Sequence, residues 1–284
     1  WSNLSDYGIE DRIEELARAG AEIARESADR FTAKDGKTRW VLGSMGPGTK
    51  LPTLGHTSYD NLKQTFALQA KGLIAGGSDA FMIETSQDLL QTKAAVNACR
   101  LAIVESGVRL PIFVEVTVET TGTMLLGSEI GAALTALEPL GIDSIGLNCA
   151  TGPAEMSEHL RVLSKGASVG ISVMPNAGLP VLGKNGAHYP LTPIELASSL
   201  KQFVADYRVN LIGGCCGTTP AHMKEVVKQI HGTENSNRSI TREIGASSLY
   251  QFVGFKQDNT YLAIGERANA NGSKAFKEAL LRED

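Results

Sequence analysis

Short apolar runs alternate with amphipathic helical patterns along most of the chain, and this alternation restricts the possible folds more than any other feature. The predicted strands cover residues 39–44, 80–84, 111–118, 144–147, 168–173 and 209–212. The predicted helices cover residues 9–31, 59–75, 88–104, 128–140, 154–163, 193–206 and 221–231. Because each strand is followed by a helix, we predict parallel strands joined by right-handed helical crossovers.

The number of strands indicates the architecture. A closed (β/α) barrel has eight parallel strands, each followed by a helix. This chain has six predicted strands, and it begins with the helix at 9–31. We therefore predict an α/β fold of the (β/α)8 TIM-barrel type that is incomplete, with about six of the eight βα units present and about two absent at the N-terminus. A six-stranded open sheet is the alternative.

The composition excludes several classes of function. The chain has 284 residues, of which 42% are hydrophobic and 20% charged, and this suits one large α/β domain with at most a small appendage. A net charge of −4 without a basic run argues against a nucleic-acid partner. No apolar stretch approaches the roughly 20 residues that span a bilayer, and no signal peptide opens the chain. We predict a cytoplasmic protein with reduced thiols and no membrane partner.

Two adjacent cysteines, Cys215 and Cys216, stand where a predicted strand ends and a helix begins. Neighbouring residues on a regular strand point to opposite faces, so both thiols reach one partner only if the backbone leaves strand geometry. The glycines in the segment 213–217 permit that departure, and the segment 218–220 has the hydroxyl and proline of a helix start. Packed thiols or a strained vicinal disulfide are the alternatives to a metal site.

A third thiol occupies an equivalent position. Cys149 follows the apolar run at 144–147 and precedes another helix start. Three thiolates with a fourth position left open are typical of a catalytic zinc site. The remaining cysteine, Cys99, lies within a helical pattern of small apolar residues, and we predict a buried packing role for it. None of the five histidines has metal-ligand spacing with another, although His222 is close in sequence to the cysteine pair.

Acidic side chains follow two predicted strands at their carboxyl ends, where ligands bind in such sheets. Glu84 and Asp88 come after one strand, and Glu119 comes after the next. These acids are candidates for binding the ammonium group of an amino-acid substrate, and we assign Asn148 to the same substrate-binding set. Charge compensation at a helix N-terminus is the alternative for Glu84 and Asp88, and a solvated loop is the alternative for Glu119.

The C-terminal part has a different character. We predict a barrel domain over residues 1–231, a polar linker over 232–246 and the start of a second domain over 247–284. Within the last segment a strand at 261–264 and a helix at 275–281 flank a polar turn. One βα unit is too small to form a core, so this segment is expected to be incomplete.

Through these motifs the chain resembles the homocysteine S-methyltransferase family, most closely the homocysteine-binding modules of cobalamin-dependent methionine synthases. The cysteine motifs at 146–149 and 213–217 carry the resemblance, which extends over about residues 1–231. The tail at 264–274 is similar to the entrance of the methyltetrahydrofolate-binding barrel that follows in those enzymes. The resemblance places Glu266, Arg267 and Asn269 in a pterin site, although Ala268 stands where threonine is usual.

The resemblance implies a function. Zn²⁺ held by Cys149, Cys215 and Cys216 is expected to bind the thiol of L-homocysteine and favour its thiolate. The methyl group is expected from methylcobalamin on a cobalamin-binding module, with 5-methyltetrahydrofolate acting through a further module, and neither module is in this chain. The alternatives are a cobalamin-independent methyltransferase that uses a small methyl donor and a non-catalytic zinc-binding remnant.

Overall fold

The structure is a computed structural model that describes residues 4–183, 186–233, 237–258, 261 and 268–283. The predicted strand at 261–264 therefore lies almost wholly outside the described residues. So do Glu266 and Arg267, two of the three predicted pterin residues. None of the helices within the described ranges is both long enough and apolar enough to span a membrane.

Six parallel strands form one sheet at the centre of the molecule, as the alternation in the sequence predicts. They are β1 (Leu42–Met45), β2 (Ala80–Ser86), β3 (Ile112–Val116), β4 (Ser144–Asn148), β5 (Gly170–Met174) and, after a short excursion, β8 (Leu211–Ile212). The strand order is β1-β2-β3-β4-β5-β8, and every pairing is parallel. The excursion is an antiparallel hairpin that the sequence analysis did not predict, formed by β6 (Val181–Gly183) and β7 (Gly186–His188).

Helices connect the strands, and polar residues define where they begin. The helices are α1 (Ile13–Asp35), α2 (Tyr59–Ala75), α3 (Leu89–Ser106), α4 (Ile130–Leu137), α5 (Pro153–Gly166), α6 (Pro193–Tyr207), α7 (Pro220–Ile230) and α8 (Lys274–Leu281). Ser58 caps α2 through its side chain, and Thr192 with Glu195 forms a capping box at α6. Proline at the first position of α5, α6 and α7 lacks the N–H that a helix start would leave unpaired.

The two faces of the sheet differ in chemistry. One face packs against the helices through fully buried apolar side chains such as Phe81, Val114, Ile145 and Ile171. Because side chains alternate along a strand, the residues between them face the inside of the curved sheet. At the amino ends of the strands this inner face lines an apolar cavity of about 760 Å³. Towards the carboxyl ends it becomes polar, and the candidate site lies there.

The segment after α7 is more structured than its composition predicts. Within the predicted linker, Arg238 donates hydrogen bonds to the backbone carbonyls of Ala167 and Val169, and Arg242 forms an ion pair with the buried Glu138. An antiparallel hairpin of β9 (Gly245–Ser247) and β10 (Phe252–Gly254) then lies against α4. The described part of the predicted linker is therefore anchored to the rest of the fold, and the domain boundaries stay a prediction. Isolated cationic side chains that bind backbone carbonyls leave no periodic signal in the sequence.

Candidate metal centre

Three thiols converge at the carboxyl ends of β4 and β8. The Sγ atom of Cys216 lies 3.8 Å from that of Cys149 and 3.9 Å from that of Cys215. All three sulfur atoms lie within 4.8 Å of one another. Zinc–sulfur bonds of about 2.3 Å in tetrahedral geometry place sulfur ligands about 3.8 Å apart. The spacing in this protein therefore fits one zinc ion, and within the described part of the chain no other cluster of potential ligands meets the same criterion.

The backbone turns sharply at the first of these cysteines. Cys149 and Ala150 have φ angles of 61° and 56°, in the left-handed region that residues with a side chain rarely occupy. A regular continuation of β4 would direct the Cys149 side chain to the helix-facing side of the sheet. The turn instead directs it to Cys215 and Cys216. Residues held in such conformations cost of order 1–3 kcal/mol each and cluster at functional sites.

The two cysteine loops are joined through the loop that follows β5. The N–H of Cys149 donates to the carbonyl of Met174 at 3.2 Å, and the N–H of Cys215 donates to the carbonyl of Pro175 at 2.8 Å. The N–H of Ala177 donates to the carbonyl of Cys216 at 2.9 Å. These backbone bonds fix the distance between cysteines that are far apart in sequence.

Asn176 is a site residue that the sequence analysis did not single out. Its side chain is buried, its Oδ1 accepts the N–H of Cys216 at 3.1 Å, and its own N–H donates to the carbonyl of Thr151 at 3.1 Å. It also helps to stabilise the thiolate of Cys149. Asn176 thus contacts both cysteine loops. The only signal in the sequence is a polar residue within the loop at 174–178, and this signal is too common to identify it.

The thiols do not have equal acidity. The adjacent Cys215 thiol and, to a lesser degree, the N–H of Ala150 and the Cys216 and Asn176 side chains lower the pKa of Cys149 to about 5, against the opposing effect of burial. The pKa of Cys215 is raised, because the anionic Cys149 beside it and burial both disfavour a second negative charge. The cluster therefore holds negative charge already, and a dication would offset it.

The structure excludes a disulfide between Cys215 and Cys216 and shows the role of Cys99. The 3.9 Å between the sulfur atoms of Cys215 and Cys216 is far longer than the roughly 2.05 Å of a disulfide, and both thiols are free. Cys99 is fully buried in the core, with its sulfur 3.4 Å from that of Met45, so its predicted packing role is confirmed. Burial raises the pKa of the Cys99 thiol, which makes it unreactive.

His222 is not directed at the thiols. Its Nδ1 lies 2.9 Å from the hydroxyl of Thr219, and its Nε2 lies 3.0 Å from the carbonyl of Leu191. Both ring nitrogens are therefore engaged in fixing the start of α7 against the loop before α6. Its closeness in sequence to the cysteine pair reflects this structural role.

Asn148, one of the predicted substrate residues, lies beside the thiols and next to a second one, Glu84. Asn148 is fully buried, and its Nδ2 lies 3.9 Å from the Sγ of Cys215 and 3.5 Å from a carboxylate oxygen of Glu84. Its Oδ1 accepts the N–H of Thr85 at 2.7 Å. Thr85 has a φ of 57° at an irregularity in the pairing of β2 with β3. Such bulges turn a side chain away from the regular pleat, and Asn148 stabilises this one.

The other two predicted acids have different surroundings. Asp88 is buried at the start of α3, where its carboxylate accepts the N–H groups of Leu90 and Gln91 and both the N–H and the hydroxyl of Thr53. Asp88 therefore acts at the helix N-terminus, which is the alternative that the sequence left open, and its role in substrate binding stays a prediction. Glu119 is half-buried in the turn after β3, and its role stays a prediction.

Glu115, on β3, is a buried acid that the sequence analysis overlooked because it lies within an apolar run. It is fully buried, and neither carboxylate oxygen has a hydrogen-bond partner in the described residues. Burial raises the pKa of Glu115 to about 8; the Ser172 hydroxyl opposes the rise, and the charge of Glu84 adds to it. An acidic residue inside an otherwise apolar strand pattern is the signal that could have identified it.

Asn269 is the one predicted pterin residue among the described ones. It precedes α8, where its backbone carbonyl accepts the N–H groups of Gly272 and Ser273 and its Oδ1 accepts that of Asn271. These bonds form a turn at the helix start, and the role in a pterin site stays a prediction.

Comparison with known proteins places this site in a family. A family model described as homocysteine S-methyltransferase matches residues 1–230. The chain is 59% identical to the methionine synthases of Mycobacterium tuberculosis and Mycobacterium leprae, over 100% of its own length and 24% of theirs. The chain thus spans about a quarter of these relatives.

Solved structures share the fold. The apo form of the homocysteine methyltransferase MmuM from Escherichia coli matches with a TM-score of 0.63 and 22% identity, over 78% of this chain and 75% of that one. Its metallated form matches with a TM-score of 0.63 and 20% identity, over 80% and 74% of the two chains. The six parallel strands are therefore those of an incomplete TIM-type barrel, and the chain belongs to the homocysteine S-methyltransferase family.

Proposed function

We propose that this chain binds homocysteine at a zinc ion held by Cys149, Cys215 and Cys216 and prepares the substrate thiol for methylation. The observation that carries the proposal is the triangle of sulfur atoms with separations of 3.8 and 3.9 Å. Family membership over residues 1–230 supports the choice of homocysteine as the methyl acceptor. The relatives at 59% identity are named methionine synthases, in agreement with methionine as the product.

The chain's own residues determine how the metal is held. Zinc bound there would lower the pKa of the substrate thiol and favour the thiolate, the form that attacks a methyl group. The three cysteines supply three ligands and leave one position for the substrate sulfur. Asn176 and the backbone bonds to the loop after β5 keep Cys149 close to Cys216 without a covalent link.

The amino end of the substrate has a matching group nearby. Glu84 is half-buried and lies next to Asn148, which in turn lies 3.9 Å from the Sγ of Cys215. The hydroxyl of Ser44 donates to the Glu84 carboxylate at 2.5 Å and holds it in place. A substrate with its sulfur at the thiol cluster and its ammonium at Glu84 would therefore lie across Asn148. This arrangement positions both ends of homocysteine before any methyl donor arrives.

The methyl donor belongs to parts that this chain does not contain. We propose methylcobalamin on a separate cobalamin-binding module, with 5-methyltetrahydrofolate acting through a pterin-binding domain that begins near residue 247. Glu266, Arg267 and Asn269 would belong to that domain. The support is the identity to methionine synthases of which the chain covers 24%. A cytoplasmic location accords with free thiols.

One observation favours a second candidate, a zinc-binding module without substrate. The strands β1 and β8 are the two edges of the sheet, so the barrel is not closed by the described residues. A pocket that needs further strands would hold zinc but not homocysteine. Retained affinity for homocysteine excludes this candidate.

Zinc K-edge X-ray absorption with and without L-homocysteine tests the proposal. We expect the number of sulfur neighbours of zinc to rise by one when homocysteine is added. Zinc content should fall in Cys149→Ala, Cys215→Ala and Cys216→Ala, whereas Cys99→Ala serves as the matched control and should retain it. Equal zinc retention in all four variants, or an unchanged spectrum on addition of substrate, would refute the assignment.

A further inference from the structure

A row of small and polar side chains crosses the inner face of the sheet just below the thiol cluster. The strand register pairs Glu115 with Gly146, and Gly146 with Ser172, on β3, β4 and β5. Glu84 precedes the bulge of β2 on the other side of β3. The inner positions of a TIM-type barrel are usually filled by bulky branched residues, so two carboxyl groups in one such row need an explanation.

Glu115 is the least satisfied member of this row. Neither carboxylate oxygen forms a hydrogen bond of regular geometry within the described residues, and the one polar group that favours its ionised form is the nearby Ser172 hydroxyl, which forms no regular hydrogen bond either. Gly146 contributes no side chain between them, because a Cβ there would lie 2.2 Å from the Oγ of Ser172. A buried carboxyl without a regular hydrogen bond is costly, and in native proteins such a group calls for an explanation, such as a catalytic role or a bound water or ion.

The candidate partner is a cation at Glu84. Glu84 lies on the neighbouring strand, is half-buried, and is the charged group whose field acts on Glu115. Glu115 itself is fully buried and does not reach solvent, so it would act on a cation through space rather than by contact. In a site of low dielectric constant, a second carboxyl on the neighbouring strand changes the binding of a cation substantially.

We propose that Glu115 is a positioning residue for the amino end of the substrate, a second carboxyl that acts with Glu84 on the ammonium group. The inference rests on the proposed function, in which Glu84 takes that ammonium. It assigns recognition of the cationic amine to two carboxyl groups on adjacent strands. A thiol of similar length without an amino group would bind the metal but would gain nothing from Glu115.

The protonation state of Glu115 gives the proposal a second consequence. With a pKa of about 8, Glu115 is mostly neutral at pH 7, and an ammonium group at Glu84 would favour its ionised form. The proton then passes to solvent. Binding of homocysteine at pH 7 should release more protons than binding of an amine-free thiol, and the excess should come from Glu115. The charged group that acts on it is Glu84, in the same row.

The test is titration calorimetry of the zinc-loaded protein with L-homocysteine and with 4-mercaptobutyrate, its analogue without the amino group. We expect Glu115→Gln to weaken homocysteine binding roughly tenfold and to leave 4-mercaptobutyrate within about twofold. Because both ligands bind through a thiol, a purely structural defect would weaken both equally, and that outcome would overturn the proposal. An unchanged affinity for homocysteine would overturn it as well.

A second measurement covers the case in which Glu115→Gln does not fold. The unsubstituted protein is titrated with both ligands at pH 7 in two buffers that differ in ionisation enthalpy, which gives the number of protons released. More protons released with homocysteine than with 4-mercaptobutyrate supports the proposal, and equal numbers refute it. Failure of the unsubstituted protein to bind either thiol would instead refute the proposed function.

Discussion

Gly146 offers the sharpest prediction about how the fold holds the thiols. A Cβ at this position would lie 2.1 Å from the backbone oxygen of Ser172 and 2.2 Å from its Oγ. Contacts of a Cβ essentially never fall below 3.0 Å, so β4 and β5 would have to separate locally by about 0.9 Å. The contact with a backbone atom cannot be relieved by a rotamer change. We therefore expect Gly146→Ala to overpack the sheet severely.

The magnitude follows from the nature of the clash. Overpacking of a well-packed interior typically costs 1–3 kcal/mol, and a clash with backbone should reach or exceed the upper end, about 3 kcal/mol. For a chain of this size that corresponds to a fall in unfolding temperature of roughly 6–12 °C. Urea unfolding followed by circular dichroism measures the change. Zinc content should fall too, because Cys149 lies three residues after Gly146.

Two further variants test whether the contact with the backbone oxygen causes the loss of stability. Gly20→Ala lies within α1 with nothing within 4 Å of the new Cβ, so it should stabilise the protein by about 0.5–1 kcal/mol. Ser172→Ala removes the Oγ but not the backbone oxygen, so it should not restore the stability of Gly146→Ala. Restoration by Ser172→Ala, or a loss below about 1 kcal/mol in Gly146→Ala, would show that the backbone contact is not the cause.

Other predictions concern single side chains. Asn148→Ala leaves the N–H of Thr85 unpaired, so unfolding in urea should show a loss of about 2 kcal/mol, and an unchanged midpoint would contradict this role. Because the pKa of Glu115 is raised, the folded state binds the proton of its carboxyl more tightly than the unfolded state does. This contribution to the free energy of unfolding is fully present below pH 4.5 and is lost as the pH rises through about 8. Glu115→Gln should therefore gain stability relative to the unsubstituted protein between pH 5 and pH 9, by up to about 4 kcal/mol, and a pH-independent difference would refute this. Arg238→Ala should make trypsin cleave within 237–258 roughly tenfold faster or more, and unchanged digestion would show that the guanidinium does not anchor the segment.

The main sheet was predictable because parallel strands buried on both faces appear in a sequence as continuous apolar runs. The two hairpins were not, because their strands are only three residues long and those of β6–β7 are exposed. The helix at residues 13–35 begins and ends four residues later than predicted, since its first turn is a separate 3-10 segment. Tertiary packing decides such boundaries, and local pattern does not record it.

The site divides in the same way. The cysteines were predictable because vicinal thiols next to glycines are rare and chemically specific. Asn176 was not, because its significance depends on which strands are neighbours and in which register. Glu115 has a sequence signal, an acid inside an apolar strand pattern, but its relation to Glu84 depends on the strand register. Asn176 accepts a bond from Cys216, which is 40 residues away in sequence. Asp88 shows the converse limit, since an acid at a strand end and an acid at a helix cap have the same sequence pattern.

The segment after α7 has a mechanical consequence. In its hairpin, the N–H of Phe255 donates a hydrogen bond to the carbonyl of Ile244. Earlier in the segment, Arg238 donates hydrogen bonds to the carbonyls between α5 and β5. A force that pulls on the chain beyond Phe255 would act on these hydrogen bonds before it reached α7. The loop that contains Cys215 and Cys216 leads directly into α7, and these bonds protect it from a force applied to the chain after Phe255.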